Sequence, residues 1–217
     1  MSEPLPESAA SPAAGDQPVL SVVVALYNAR ESVAAAIRSA LEQDVDLEVV
    51  VVDDRSTDGS GDVVRELAST HDRGDRVRLV TQEVNGGAAA ARNTGVRVAR
   101  GRYVSFLDSD DEYLPTFAST LLGALRDAGA QIAVGSVVHV RPDGTATERR
   151  PAVTGTLSGA EAARLGLRDR ISPFTCDKLV ERTIFDGIDF PEGLVNEDFL
   201  TNPVLASRST RVVGVDA

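Results

Sequence analysis

The strongest constraint on the fold is a regular alternation of apolar β-branched runs with helical patterns, which begins at Val19. The first run is VLSVVVAL, and the segment after it spaces Val33, Ile37 and Leu41 four residues apart, as on one face of a helix. A continuous β-branched run is typical of a strand that is buried on both faces. Because strands that alternate with helices form right-handed βαβ units, the sequence predicts an α/β fold with a mostly parallel central sheet flanked by helices.

The same patterns predict the positions of the other elements. The predicted strands are 19–26, 47–54, 76–82 and 102–108, and the predicted helices are 30–43, 61–70, 87–100 and 117–129, the last capped by Thr116. After Ala130 the segments 131–140 and 145–150 flank the turn RPDG, which predicts that they form a small antiparallel hairpin in the second half. A capping box of Ser158 and Glu161 predicts one further helix, and Asn196 is the predicted N-cap of another.

One domain is expected over residues 19–217, because 217 residues with 42% hydrophobic side chains can bury one sizeable core. Residues 1–18 are rich in Pro, Ala, Ser and acidic side chains, so they are predicted to be a disordered N-terminal lead. Residues 209–217 predict a strand at the end of the chain, and we therefore expect the chain to be a fragment of a longer protein.

Charge and cysteine content disfavour several classes of protein. Lys and Arg number 22 against 33 Asp and Glu, and the resulting net charge of −11 argues against binding to nucleic acid or to an anionic membrane surface. The one cysteine, Cys176, excludes a disulfide framework and a cysteine-based zinc site, and it suits a reducing cytoplasm. No apolar run approaches the ~20 residues of a membrane span, and no secretory signal is visible. We expect a cytoplasmic location.

Polar clusters follow each of the first four predicted strands. They are Tyr27–Asn28, Asp53–Asp54, Asn85–Gly87 and Asp108–Asp111. In parallel α/β sheets, ligands bind at the carboxyl ends of the strands. The sequence therefore predicts a ligand site along this edge of the sheet.

The acidic cluster after the fourth strand is the clearest candidate for a metal site. Asp108 and Asp110 are two residues apart, so on an extended turn their carboxylates face the same way. Oxygen ligands in this number suit Mg²⁺ or Mn²⁺ shared with a phosphate-bearing substrate. The alternative is a solvated acidic loop or a cluster at a helix N-terminus, but the position at a strand end favours a cation.

The other clusters suggest a nucleotide. Asp53 or Asp54 can accept a hydrogen bond from a base or ribose, and Asn85–Gly87 allows a close backbone approach before a helix N-terminus. Arg92 is a candidate for contact with a base or phosphate, the alternative being a surface arginine. Neither a GxGxxG fingerprint nor a phosphate-binding GxxxxGK[ST] loop is present.

Two further acids, Glu197 and Asp198, begin the helix that Asn196 is predicted to cap. A carboxylate at a helix start usually serves the helix dipole. These two adjoin a Pro-Gly loop, however, and one of them could act as a general base aimed into the cleft.

Taken in order, five segments resemble the GT-A-fold inverting glycosyltransferases of family 2. The segments are SVVVALYNARESVAAAIRSALEQ, VVVVDDRSTDGS, NGGAAAARNTG, GRYVSFLDSDDEYLP and FPEGLVNEDF. The resemblance runs from about residue 19 to about residue 205. It implies metal-dependent transfer of a sugar from a nucleotide-diphosphate donor to an acceptor hydroxyl, with a nucleotide-binding half at 19–115 and an acceptor half at 116–217.

The resemblance also implies roles for individual residues. Asp108 and Asp110 would hold Mn²⁺ or Mg²⁺, and Asp198 would be the catalytic base, with Glu197 beside it. The implied nucleotide-binding residues are Tyr27, Asp54, Asn85, Gly86, Arg92 and Ser109. Cys176 and Asp177 stand where the family usually has Trp-Asn before a lysine. The resemblance therefore does not define the acceptor pocket at this point.

The resemblance also suggests synthesis of a cell-envelope polysaccharide or glycoconjugate, with a glycan, a lipid-linked molecule or a polyol phosphate as the acceptor. The reaction would take place in the cytoplasm or peripherally at the inner face of the membrane. One alternative is a nucleotidyltransferase, but the segment ALYNARES lacks the Gly-rich basic loop expected after its first strand. The other is a non-catalytic glycan-binding domain, which would be expected to lose the DxD pair or the base, and both are present.

Overall fold

The computed structural model describes residues 17–151 and 153–216, and within them the chain forms an eight-stranded sheet, a separate two-stranded hairpin and six α-helices. The strands are β1 (Leu20–Leu26), β2 (Leu47–Asp53), β3 (Val77–Thr81), β4 (Tyr103–Asp108), β5 (Ile132–Val134), β6 (Val137–Val140), β7 (Ala146–Arg149), β8 (Gly155–Ser158), β9 (Lys178–Glu181) and β10 (Arg211–Gly214). The helices are α1 (Val33–Leu41), α2 (Ser60–Thr70), α3 (Gly87–Val98), α4 (Phe117–Ala128), α5 (Gly159–Gly166) and α6 (Glu197–Arg208). Residues 1–16 of the predicted disordered lead lie outside the described residues.

The strand order is β3-β2-β1-β4-β9-β5-β10-β8. The neighbours β3, β2, β1 and β4 are all parallel, as are β5 and β10. Strand β9 is antiparallel to both β4 and β5, and β8 is antiparallel to β10 at the sheet edge. This topology confirms the predicted α/β fold with a mostly parallel sheet, and the β6–β7 pair confirms the small antiparallel hairpin.

The central strands are apolar on both faces because helices cover both sides of the sheet. In β1, Val22 and Val24 pack into one hydrophobic cluster with α1 and α4, while Val23 faces the other cluster, on the side of α3. Helix α3 approaches β1 so closely at Gly95 that an added Cβ would clash with the Val23 side chain. The continuous valine runs therefore reflect two buried faces, as the sequence predicted.

The second half differs in detail from the prediction. The segment 131–140, predicted as one arm of the hairpin, is split: β5 joins the main sheet and β6 forms the hairpin with β7. Thr116 and Asn196 occupy the predicted N-cap positions, but neither side chain makes a capping hydrogen bond. Ser158 and Glu161 form the predicted capping box. In the part of the chain described here, no helix is long and apolar enough to span a membrane.

Candidate functional site

The carboxyl ends of the parallel strands lie side by side, as predicted. Asp53 at the end of β2 pairs with Leu26 of β1, and Asp108 at the end of β4 pairs with Ala25 of β1. The exposed ring of Tyr27 follows β1 directly, with 53% of its surface accessible. The polar clusters that follow the strands are thus gathered along one edge of the sheet.

The loop after β1 is tied to the loop after β2. Asn28, which has a left-handed backbone with φ of 49°, accepts a hydrogen bond from the N–H of Thr57 at 2.8 Å through its side-chain oxygen. Its own N–H donates to the Ser56 hydroxyl at 3.0 Å. Asparagine tolerates this backbone better than most residues. These contacts fix the backbone directly after Tyr27.

Asp54 is buried and holds the loop that precedes α3. Its Oδ1 accepts hydrogen bonds from the N–H of Gly86 at 2.8 Å and from Gln82 Nε2 at 2.6 Å, and its Oδ2 accepts from the N–H of Gly87 at 2.7 Å. The side chain of Asn85 donates to the Asp54 carbonyl at 2.9 Å. Both carboxylate oxygens are therefore engaged within the protein. The implied contact of Asp54 with a base stays a prediction, and that contact would share or replace one of these hydrogen bonds.

The acidic turn exposes its carboxylates. Asp108 is 42% exposed as a side chain, Ser109 is partly exposed, and Asp110 is exposed. Burial, together with the negative charges of Asp108 and Asp110, raises the pKa of Asp111 above its usual value. The carboxylates of this turn are therefore close enough for the charges of Asp108 and Asp110 to disfavour ionisation of Asp111.

The acidic turn rests on a buried tyrosine. The Tyr113 hydroxyl donates to the carbonyl of Phe106 at 2.9 Å and lies 2.7 Å from the Ser105 hydroxyl, while the Tyr113 N–H donates to the Ser39 hydroxyl at 3.0 Å. Burial raises the pKa of Tyr113 well above its ordinary value, so the hydroxyl stays protonated and able to donate. The turn is thereby fastened to both β4 and α1.

Arg92, expected on the nucleotide, lies between two carboxylates. Its guanidinium Nη2 is 2.9 Å from Asp108 Oδ1, and its Nη1 forms an ion pair with Glu197 Oε1. Arg92 is only 8% exposed. This arginine therefore joins the end of β4 to the first turn of α6. It links Asp108, a candidate metal ligand, to the helix that carries Asp198, the candidate base.

Asn93, to which no role was assigned from the sequence, makes a second long-range link. Its side chain accepts a hydrogen bond from the N–H of Phe190 at 2.7 Å and donates to the Phe190 carbonyl at 2.9 Å. The Phe190 ring packs edge-on against Phe106 of β4, with centroids 5.2 Å apart. A polar residue beside Arg92 in an otherwise Ala-rich helix was the available signal, but its partner is not readable from the sequence.

Asp198 lies in the first turn of α6, next to the ion-paired Glu197. It is half-buried, and its Oδ1 accepts a hydrogen bond from the N–H of Phe199 at 3.0 Å. Burial raises the pKa of Asp198; the charge of Glu197 adds to this, while the N–H of Phe199 and the charge of Arg92 oppose it. A raised pKa makes this carboxylate a stronger base than an exposed aspartate.

Cys176 and Asp177, which replace the Trp-Asn of the family pattern, precede a buried lysine. Lys178 Nζ forms a buried ion pair with Asp177 Oδ1 at 2.6 Å, and it donates to the carbonyls of Ser172, at 2.7 Å, and Phe174. Burial, with the nearby charge of Asp177, raises the pKa of the Cys176 thiol to about 12. The lysine thus anchors the loop 172–177, and the thiol is not ionised at neutral pH.

Comparison with solved structures identifies the fold. The structure of S. aureus TarS 1-349 in complex with UDP-GlcNAc matches with a TM-score of 0.75 and 22% identity, over 91% of this chain and 56% of that one. The mannosyltransferase PcManGT from Pyrobaculum calidifontis, in complex with GDP-Man and Mn²⁺, matches with a TM-score of 0.68 and 24% identity, over 92% of this chain and 55% of the other. The architecture is the GT-A fold of nucleotide-diphospho-sugar transferases.

The family follows from the sequence comparison. The family model Glycosyl transferase family 2 matches residues 21–188, and the chain belongs to that family. The succinoglycan biosynthesis protein ExoO of Rhizobium meliloti (strain 1021) is 39% identical over 155 residues, which are 71% of this chain and 41% of ExoO. The chain therefore spans less than half the length of this relative.

Proposed function

We propose that this chain transfers a sugar from a nucleoside-diphosphate donor to an acceptor hydroxyl, with inversion at the anomeric carbon. The observation that carries the proposal is the double contact of Arg92 with Asp108 and Glu197, which joins the acidic turn to the helix that bears Asp198. Membership of family 2 supports sugar transfer. The complexes of two structural neighbours, TarS with UDP-GlcNAc and PcManGT with GDP-Man, support a nucleotide-sugar donor.

Asp108 and Asp110 would hold a divalent cation, Mn²⁺ or Mg²⁺. The donor set fits, because both are oxygen ligands on a turn in which Asp108 is partly exposed and Asp110 exposed. Among residues 17–151 and 153–216, no group of three or more His, Cys, Asp or Glu side chains is arranged to hold a metal by itself. The remaining ligands would be phosphate oxygens of the donor and water. When bound, the cation supplies Lewis-acid stabilisation to the departing diphosphate.

Asp198 would accept the proton of the attacking hydroxyl. Its half-buried carboxylate combines a raised pKa with a fixed place at the start of α6, and both favour general-base catalysis. A base that activates an acceptor on the face opposite the leaving diphosphate gives inversion. Glu197 would be excluded from this role because Arg92 engages it.

The nucleotide would lie on the residues that follow β1, β2 and β3. Tyr27 offers an exposed ring, and the loop containing Asn85 and Gly86 is held in place by Asp54. Ser109 lies between the two candidate metal ligands in the chain and is partly exposed, and its hydroxyl would contact a phosphate of the donor. These contacts use side chains that the fold already holds at one edge of the sheet.

The acceptor is proposed to be a glycan, a lipid-linked intermediate or a polyol phosphate of a cell-envelope polysaccharide or glycoconjugate. The name of ExoO, a succinoglycan biosynthesis protein, supports polysaccharide synthesis. We propose a cytoplasmic location for the reaction, peripheral to the membrane if the acceptor is lipid-linked.

A panel of UDP-, GDP-, CDP- and dTDP-sugars tests the proposal. Each donor is added with and without Mn²⁺, and the thermal unfolding midpoint and the release of free sugar are followed. We expect one nucleotide class to raise the midpoint in the presence of Mn²⁺ and to be slowly hydrolysed. No response to any donor under either condition would contradict the proposed function.

A further inference from the structure

Arg92 is a buried cation that contacts two carboxylates. Its guanidinium contacts Asp108 on one side and Glu197 on the other, and among the described residues its Nε has no hydrogen-bond partner. A guanidinium in this setting binds a carboxylate or a phosphate with equal geometric ease. In this structure each of its two terminal nitrogens already contacts a carboxylate.

The segment that leads to Asp198 is held at both ends by α3. Asn93 fixes the backbone of Phe190 through two hydrogen bonds, and Arg92 fixes Glu197. Between these points the chain is exposed, and Val195 is 89% accessible. Two consecutive residues of one helix therefore determine where the loop 190–196 and the first turn of α6 lie.

We propose that Arg92 is a positioning residue for α6, the helix that carries Asp198, and not a ligand of the donor. Without its guanidinium, the buried carboxylate of Glu197 would lose its ion-pair partner. A buried pair that loses one partner is strongly destabilised, because the remaining charge has neither water nor a counter-ion. The first turn of α6 would move or fray to bring Glu197 into water, and it would carry Asp198 with it.

The inference rests on the proposed function in treating Asp198 as the base, but the contacts themselves do not depend on it. Hydrogen exchange followed by mass spectrometry tests them in the absence of any donor or metal. The variants are Arg92→Met, which keeps a long side chain without its charge, and Glu197→Gln, which removes the other half of the ion pair. Arg97→Met on the same helix is the matched control, because Arg97 is exposed and its guanidinium contacts only exposed or local groups: Asp189 at 3.8 Å and the hydroxyl of Thr94, one turn away, at 2.9 Å.

We expect both Arg92→Met and Glu197→Gln to speed exchange of amides in residues 190–202 by about tenfold or more, since local opening becomes easier. Peptides from β1 and β2 should exchange as in the unaltered chain, and Arg97→Met should change neither region. Unchanged exchange in 190–202 for a folded Arg92→Met protein would overturn the inference. If Arg92→Met does not fold, Glu197→Gln decides by the same criterion.

A second readout separates positioning from donor binding. With the donor identified by the panel, we expect Arg92→Met to lower kcat by about tenfold or more while the Kd for the nucleoside diphosphate changes by less than about threefold. Arg92→Lys should be intermediate in kcat, because an ammonium keeps the charge but cannot fork between two carboxylates. A Kd weakened about tenfold with unchanged exchange would make Arg92 a nucleotide ligand instead. If the unaltered chain uses no donor, the proposed function fails, while the exchange result still decides what Arg92 holds.

Discussion

Replacing Asp54 with asparagine removes one charge and one acceptor from the loop that begins α3. The carboxylate accepts three hydrogen bonds, from Gln82, Gly86 and Gly87. An asparagine oxygen can keep the two bonds on the Oδ1 side, but its NH₂ group then faces the N–H of Gly87, and two donors cannot bond. The third hydrogen bond is lost, and the other two become neutral.

The expected cost follows from these three contacts. A hydrogen bond to a charged group contributes about 1.5–3 kcal/mol, against about 0.5–1.5 kcal/mol for a neutral one, so neutralising two bonds costs about 2 kcal/mol. Gly87 is exposed, so water can reach its N–H and limit the further loss. Removing a negative charge from a helix N-terminus adds about 0.3–1 kcal/mol. We therefore expect the Asp54→Asn change to lower the free energy of unfolding by about 2–3 kcal/mol.

Urea unfolding followed by circular dichroism measures this difference. Asp62→Asn is the control, because Asp62 also lies near a helix start but its side chain is 83% exposed and its partner Arg65 is exposed too. The control should stay within about 0.5 kcal/mol of the unaltered chain. An Asp54→Asn loss no larger than the control loss would show that Asp54 does not hold this loop.

Two further predictions concern packing and pH. Gly95→Ala should lower the free energy of unfolding by about 1–3 kcal/mol, because its Cβ would clash with Val23. Gly123→Ala is the control, because the added Cβ would have no neighbour within 4 Å and should not destabilise α4. Equal losses of stability for the two variants in urea unfolding would refute the close approach of α3 to β1 at Gly95. Burial alone would raise the pKa of Glu48, but its hydrogen bonds, led by that from the Ser21 hydroxyl, and nearby arginines hold the pKa below its usual value. The contribution of Glu48 to stability is therefore complete above its ordinary pKa of 4.5 and is lost as the pH falls through its lower pKa in the folded protein. The Glu48→Gln variant should therefore lose less stability than the unaltered chain on acidification. The same pH dependence of stability in both proteins would contradict this.

The first half of the fold is readable from the sequence because its signals are local. The valine runs of β1 and β2 are long enough to identify strands buried on both faces, and each is followed by a helix with a clear apolar stripe. The predicted boundaries of these elements lie within a few residues of the observed ones. The polar strand ends then gather at one edge as a consequence of parallel topology.

The second half depends on pairing between distant segments, which local patterns do not encode. Strand β9 has four residues, and its insertion between β4 and β5 is decided by contacts with both neighbours. The split of residues 131–140 between the sheet and the hairpin occurs at Gly135, whose N–H donates to the carbonyl of Asp177 at 2.8 Å. No pattern within 131–140 indicates that partner.

The partners of Arg92 were beyond sequence reasoning for a similar reason. Glu197 is 105 positions away along the chain. A guanidinium suits a phosphate and a carboxylate alike, so residue type could nominate Arg92 for the site without choosing its ligand. Only the fold, which brings Glu197 within reach of Arg92, makes that choice.

The chemistry would be divided between Asp110, which would hold a metal with the donor, and Asp198, which would take the proton of the acceptor hydroxyl. Isothermal titration of the preferred nucleoside diphosphate with and without Mn²⁺, beside an assay of sugar transfer, tests this division directly. Asp110→Asn should lose Mn²⁺-dependent binding, whereas Asp198→Asn should bind as the unaltered chain does but fail to transfer. Normal transfer by Asp198→Asn, or undiminished Mn²⁺-dependent binding by Asp110→Asn, would contradict the account.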